Sequence, residues 1–165
     1  MKIITEPSIE PVTLAEAVSY ARGNIGIEDD IFNALIACAT EQVELITEHR
    51  LITHTTEQYF DSFNCRQFNL RFPPLVTVNS IKYYDEDGNQ QTWAAANNYW
   101  TINNSKHQGF VEVMPGATIP TLENGRPQSI IVNYDNGYGT TRADVPEVYK
   151  QAIKMFVNDL YYARR

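Results

Sequence analysis

Pro73-Pro74-Leu75-Val76-Thr77-Val78-Asn79-Ser80-Ile81-Lys82-Tyr83-Tyr84-Asp85-Glu86-Asp87-Gly88 lies near the middle of this 165-residue chain. Val76 and Val78, then Ile81 and Tyr83, alternate with polar neighbours, which is the period of a strand with one wet face. The phase slips at Asn79-Ser80, so a β-bulge is expected there. Asp85-Glu86-Asp87-Gly88-Asn89 reads as a hairpin turn, with Gly88 supplying the positive φ. The two prolines end the preceding segment, Phe68-Asn69-Leu70-Arg71-Phe72, which also alternates.

The β character extends outward on both sides. Thr53 to Phe60 is rich in β-branched and aromatic residues and holds no Gly or Pro. Short strands are expected near Gln91–Trp93, Tyr99–Ile102, Phe110–Met114 and Ser129–Tyr134. Beyond them the period changes to that of helices. Pro11-Val12-Thr13-Leu14-Ala15-Glu16 is a capping box, with Val12 placed as a staple. Leu14, Ala17, Val18 and Ala21 follow at helical spacing, and Gly23 and Gly26 end the segment. Asp29 or Asp30 caps a second helix from about 30 to about 49. Its expected core face is Ile31, Leu35, Cys38, Gln42, Leu45 and His49, widened by Ala34 and Ile46, with Glu41, Glu44 and Glu48 along a flank. The last helix starts with a cap at Asp144, then Pro146 and Glu147. It buries Tyr149, Ala152, Ile153, Phe156, Leu160 and Ala163, with Val157 broadening the stripe. Arg164 and Arg165 suit its negative end.

The expected fold class is therefore α+β: a small helical bundle, two N-terminal helices plus one C-terminal helix, with an inserted antiparallel β-rich region. The chain reads as one domain, 1–165, with a helical module at 12–50 and 144–165 and a β insertion at 51–143.

Composition limits what such a domain does. There are 20 acidic and 13 basic side chains, a net charge of −7. Phosphate binding needs clustered Lys and Arg, so a DNA-coating role is excluded. All of the imbalance lies in residues 1–49, where nine acids face only Lys2 and Arg22. That third is either a solvated helical face or a surface that repels anions or meets a basic partner. The 43% hydrophobic share argues for a packed core. Cys38, in an apolar run, reads as a small core residue, and Cys65 as a loop residue, the pattern of a reducing compartment. No signal peptide and no membrane span are expected.

The inventory of reactive chemistry is nearly empty. There is no phosphate loop and no nucleophile elbow. His49, His54 and His107 are scattered, so no zinc site is expected. Asp85 to Asn89 imitates a calcium loop, but its Gly comes too early and Ala96 stands where the bidentate Glu belongs. Asn136-Gly137-Tyr138-Gly139 could cradle an anion, with no base nearer than Arg142. The aromatics of residues 59–100 read as core plus partner interface; a sugar-stacking platform is the alternative.

Five segments, in order, carry a resemblance: Pro11 to Ala17; Asp29 to Ile36 with Arg50-Leu51-Ile52; Pro73 to Asp85 with Gly88; Val132 to Gly139; and Val145-Pro146-Glu147 with Gln151-Ala152-Ile153 and Leu160-Tyr161. Together they resemble the head–tail connector (adaptor, or head-completion) proteins of long-tailed bacteriophages and gene transfer agents. The resemblance implies a structural virion protein without catalytic, cofactor or metal residues. It would form a ring of about a dozen copies in the neck, assembled in the host cytoplasm. That ring would join the portal to the stopper or tail-completion protein and pass genomic DNA without binding it specifically. An acidic channel or inter-subunit face is expected from Glu28, Asp29, Asp30, Glu41, Glu44 and Glu48. A portal contact is expected from Tyr161, Tyr162, Arg164 and Arg165. The alternatives are a carbohydrate-binding module or glycan-active enzyme using the aromatic middle, and a stopper or tail-completion protein.

Overall fold

The computed structural model describes residues 1–23, 26–63, 66–93, 100–104 and 108–163. Cys65, Ala96, Tyr99, His107, Arg164 and Arg165 thus lie outside the described residues. The chain divides into two units, Met1–Glu6 with His54–Gly137, and Pro7–Thr53 with Tyr138–Arg165. Its elements bear out the α+β expectation.

Every regular element described in the first unit is a strand. Strands β1 (Lys2–Thr5), β2 (His54–Phe60), β4 (Leu75–Tyr84), β5 (Gln90–Trp93) and β8 (Ile130–Asn136) form an antiparallel sheet in the order β1-β2-β8-β4-β5. Strands β3 (Gln67–Leu70), β6 (Trp100–Asn104) and β7 (Gly109–Val113) form a second, in the order β3-β7-β6. The β4–β5 hairpin closes at the expected turn: Gly88 has φ +78°, and the Asp85 carboxylate accepts from the N–H of Asp87 and Asn89. The Gln91 amide donates to that carboxylate too, and with these two N–H groups it holds Asp85 below the usual carboxylate range. The register of β4 on β8 shifts between Val78 and Ser80, so the bulge lies where the period slipped.

Strand β8 is central, and its alternate residues Ile130, Val132, Tyr134 and Asn136 are buried. The last two are polar, and both are satisfied. The Tyr134 hydroxyl lies 3.2 Å from Gln58 Oε1 and 3.1 Å from the Arg71 carbonyl. The Asn136 amide donates to the Phe72 carbonyl and accepts from Thr56 Oγ1. Asn136 is therefore a strand residue. The Gly137 N–H donates to the Pro74 carbonyl, and the Tyr138 N–H to the Leu51 carbonyl. Two of the N–H groups that could have cradled an anion are thus engaged within the protein.

The second unit holds helices α1 (Leu14–Ala21), α2 (Asp29–Thr47) and α3 (Glu147–Ala163). The capping box is present: Thr13 Oγ1 accepts from the Glu16 N–H, and the Glu16 carboxylate accepts from the Thr13 N–H and hydroxyl. These bonds hold Glu16 below the usual carboxylate range. A lowered native pKa stabilises the fold above about pH 4.5, and this is lost as pH falls through the native value. Thr13→Ala should cost about 1 kcal/mol of stability at pH 7 by thermal or urea melting. The gap to wild type should narrow at pH 3.

Helix α1 ends on Arg22, which takes the left-handed conformation, rather than on Gly23. Gly23 serves packing: a Cβ there would lie 2.7 Å from the Phe32 ring. The start of α3 also differs from expectation. Asp144 does not cap α3; its carboxylate accepts from the Thr141 N–H and hydroxyl and closes a 3₁₀ turn, Arg142–Asp144.

The largest departure is the face of α2. Its buried residues are Phe32, Ile36, Ala39, Val43 and Glu44. They pack with Ala17, Val18, Leu51, Ile153, Val157 and Tyr161. The expected face is turned out instead: Ile31 is 38% exposed, Leu45 55% and Ile46 66%, and Cys38 is exposed. Helix α2 carries apolar residues on two sides, and the side with Phe32 is the one buried, its charged neighbour Glu44 being paired with Arg50. On α3 the stripe is rotated slightly. Ile153, Val157 and Tyr161 are fully buried, and Ala163 is exposed.

Candidate assembly surface

The expected acidic face separates into three roles. Asp30, Glu41 and Glu48 are exposed. At 100° per residue Asp30 and Glu41 fall on one side of α2, and Glu48 is its left-handed C-cap. Glu28 and Asp29 are half-buried and engaged: Glu28 accepts from the Tyr161 hydroxyl at 2.7 Å, and Asp29 from the Gly26 N–H at 2.7 Å.

Glu44 is no part of that surface. It is 5% exposed, ion-paired with Arg50, and accepts from the Leu51 N–H at 2.8 Å. It ties the end of α2 to the segment that follows.

The charge is also distributed differently in space than along the chain. The helical unit's range holds eleven acids and seven bases, and the β unit's nine and six. Helix α3 brings Lys150 and Lys154 to Glu147, at 2.9 and 3.3 Å, and both lysines favour the charged form of Glu16.

The expected portal contact divides as well. Tyr161 is 1% exposed and stacks on Phe32 with ring centroids 4.8 Å apart. It is a core residue. Tyr162 is 47% exposed, its hydroxyl donating to the Ala21 carbonyl.

His54 begins β2 in the β unit. His49, in the helical unit, lies beside Tyr138 and Tyr149, with centroids 6.1 and 6.0 Å away. The two tyrosine hydroxyls are 3.1 Å apart, and burial, with Tyr149 alongside, pushes the Tyr138 phenol up.

Among the described aromatics of the middle, Phe63, Phe68 and Trp93 are buried. Phe63 packs edge-on against Phe68 and Trp93, and Phe60 against Phe68. Tyr84 is covered by the Arg126 guanidinium at 3.5 Å, which is itself paired with Glu123. Among the described residues, no group of three or more His, Cys, Asp or Glu is placed to hold a metal, and no helix is long and apolar enough to cross a membrane.

No family model matches the chain, and no curated protein matches it. Solved structures do. A chain of "Virion of native gene transfer agent (GTA) particle" superposes with a TM-score of 0.83 at 19% identity, covering 99% of this chain and 84% of that one. The fold is shared with gene transfer agent particle chains. A chain of "Neck of empty GTA particle computed with C6 symmetry" gives 0.80 at 20% identity, covering 100% and 86%. A chain of "Neck of native GTA particle computed with C12 symmetry" gives 0.76 at 19%, covering 100% and 85%. At these identities the likeness is one of fold.

Proposed function

We propose that this chain is a virion neck protein whose copies form a ring joining the portal of a DNA-filled capsid to the stopper or tail. The observation that carries the proposal is the end-to-end likeness, at a TM-score of 0.83, to a chain of a gene transfer agent virion. The C12 and C6 symmetry of the two neck structures favours a ring of about twelve copies. The function is structural rather than enzymatic, and the ring extends the DNA channel.

DNA passes such a ring without being gripped, and exposed carboxylates supply the repulsion. We assign that role to the exposed Asp30, Glu41 and Glu48, which in the ring would face the channel or a neighbouring copy. The portal contact then falls to Tyr162 with Arg164 and Arg165. Phe60, Phe63, Phe68 and Trp93 pack on one another, which favours a core role for these four over a glycan platform. The three helices favour an adaptor over a mostly-β stopper.

The test is to mix purified protein with the portal protein encoded in the same genome and examine it by electron microscopy. Rings seated on the portal are expected; failure to co-assemble refutes the proposal. Reversing Asp30, Glu41 and Glu48 together to Lys should stop ring closure or slow DNA ejection. Unchanged assembly and ejection would remove the three acids from the mechanism.

A further inference from the structure

The outer side of α2 is an apolar stripe with an acidic rim. Ile31, Ala34, Cys38 and Leu45 fall within about 60° of one another on the helical wheel, on the side away from Phe32, Ile36, Ala39 and Val43. All four are exposed. Asp30 and Glu41 lie along one edge of it, and Glu48 caps its C-terminal end. A helix apolar on two opposite sides is built to be covered on both.

Resting on the ring reading, we propose that this stripe is one half of a head-to-tail contact between copies of the chain, and that it meets a different, arginine-bearing surface of the next copy. Charge selects the occupant. In an antiparallel pair of stripes, the two acidic rims would run along the same edge and bring their carboxylates together; in a parallel pair each rim would meet the partner's far edge, where Leu35, Gln42 and Ile46 offer no base. Like charges so placed repel. The same chain supplies the opposite charge elsewhere, on either unit taken by itself: Arg22 and Arg142 in the helical unit, and Arg66 and Arg71 in the β unit, are exposed and form no ion pair among the described residues. A stripe that meets a different surface of an identical copy makes a heterologous contact, and heterologous contacts close into rings.

Size sets the strength. From Ile31 to Leu45 the stripe is about 21 Å long and about 10 Å wide, or about 200 Å², against about 800 Å² per partner in a stable complex. The contact is weak alone and holds when a template presents many copies together.

Cys38 lies midway along the stripe and reports on it directly. In a Cys65→Ser background, Cys38 should label freely with a maleimide when the protein is dilute. It should lose most of that reactivity in portal-bound rings, and mild oxidation of the rings should yield no Cys38-linked dimer. Rings that form with Cys38 still reactive would overturn the contact and leave the ring reading standing. Abundant Cys38-linked dimers would show stripe meeting stripe and overturn the head-to-tail assignment. Absence of any ring would overturn the ring reading itself. Leu45→Arg should melt with the wild type, because Leu45 is 55% exposed. Mixed with excess wild type it should cut rings to open arcs, since it still offers its other surface. Intact rings that contain the variant would refute the contact.

Discussion

Glu44→Ala is expected to lower stability by about 3–5 kcal/mol, seen as a large drop in melting temperature or in the urea midpoint. The carboxylate is buried, paired with Arg50, and the acceptor for the Leu51 N–H. Removing it takes the carboxylate from a mostly buried guanidinium and leaves a buried backbone donor unmet, and each carries a cost. Much of the effect comes from the partners left behind. Glu44→Gln keeps an acceptor for Leu51 while losing the charge, so it should fall between alanine and wild type. A Glu44→Ala protein that melts with the wild type would refute the buried role. The result also governs how assembly is tested: Asp30, Glu41 and Glu48 are suited to charge reversal, and Glu44 is not.

Tyr161→Ala should cost a comparable amount, about 3–5 kcal/mol. The ring is fully buried against Phe32, and its loss opens a cavity between α2 and α3 that the surrounding core fills only in part. Tyr161→Phe keeps the stack and removes only the hydroxyl that donates to Glu28, so it should cost about 1–2 kcal/mol. Truncation before residue 161 would therefore unfold the bundle and say nothing about the portal. Tyr162→Ala is the cleaner probe, since it gives up an exposed ring and one bond to the Ala21 carbonyl. Equal melting of the Tyr161→Ala and Tyr162→Ala variants would contradict this division.

The features legible in the sequence are those set by neighbours within a few residues. The box at Thr13 and Glu16, the turn at Gly88 and the bulge at Asn79 each depend on local backbone chemistry, and each is found where expected. The face of α2 is a different problem. Positions 31, 35, 38 and 45 and positions 32, 36, 39 and 43 are both apolar series at helical spacing, so periodicity cannot choose between them. Tertiary packing chooses, and a clue existed: one series includes Gln42 and His49, while the other is purely apolar and contains Phe32. Tyr161 and Glu44 were misplaced for a related reason. A tyrosine near a chain end and a glutamate in an acidic row read as surface residues until their partners, Phe32, Glu28, Arg50 and Leu51, are known. The candidate site was thus legible as a region, α2 and its acids, while the residues that remain available on it were not.

The order of strands β1-β2-β8-β4-β5 has a consequence for how the protein is made. Strand β2 pairs with β8 from His54 against Asn136 to Phe60 against Ile130. At about 5–20 residues per second, β2 leaves the ribosome several seconds before its partner exists. The helical unit waits as well, since α1 and α2 close their core on Ile153, Val157 and Tyr161 of the last helix. Neither unit can finish folding until nearly the whole chain has been translated. Nascent chains therefore carry an open strand edge and a bare helical face through most of synthesis, and chaperone demand should fall at that stage rather than on the released protein.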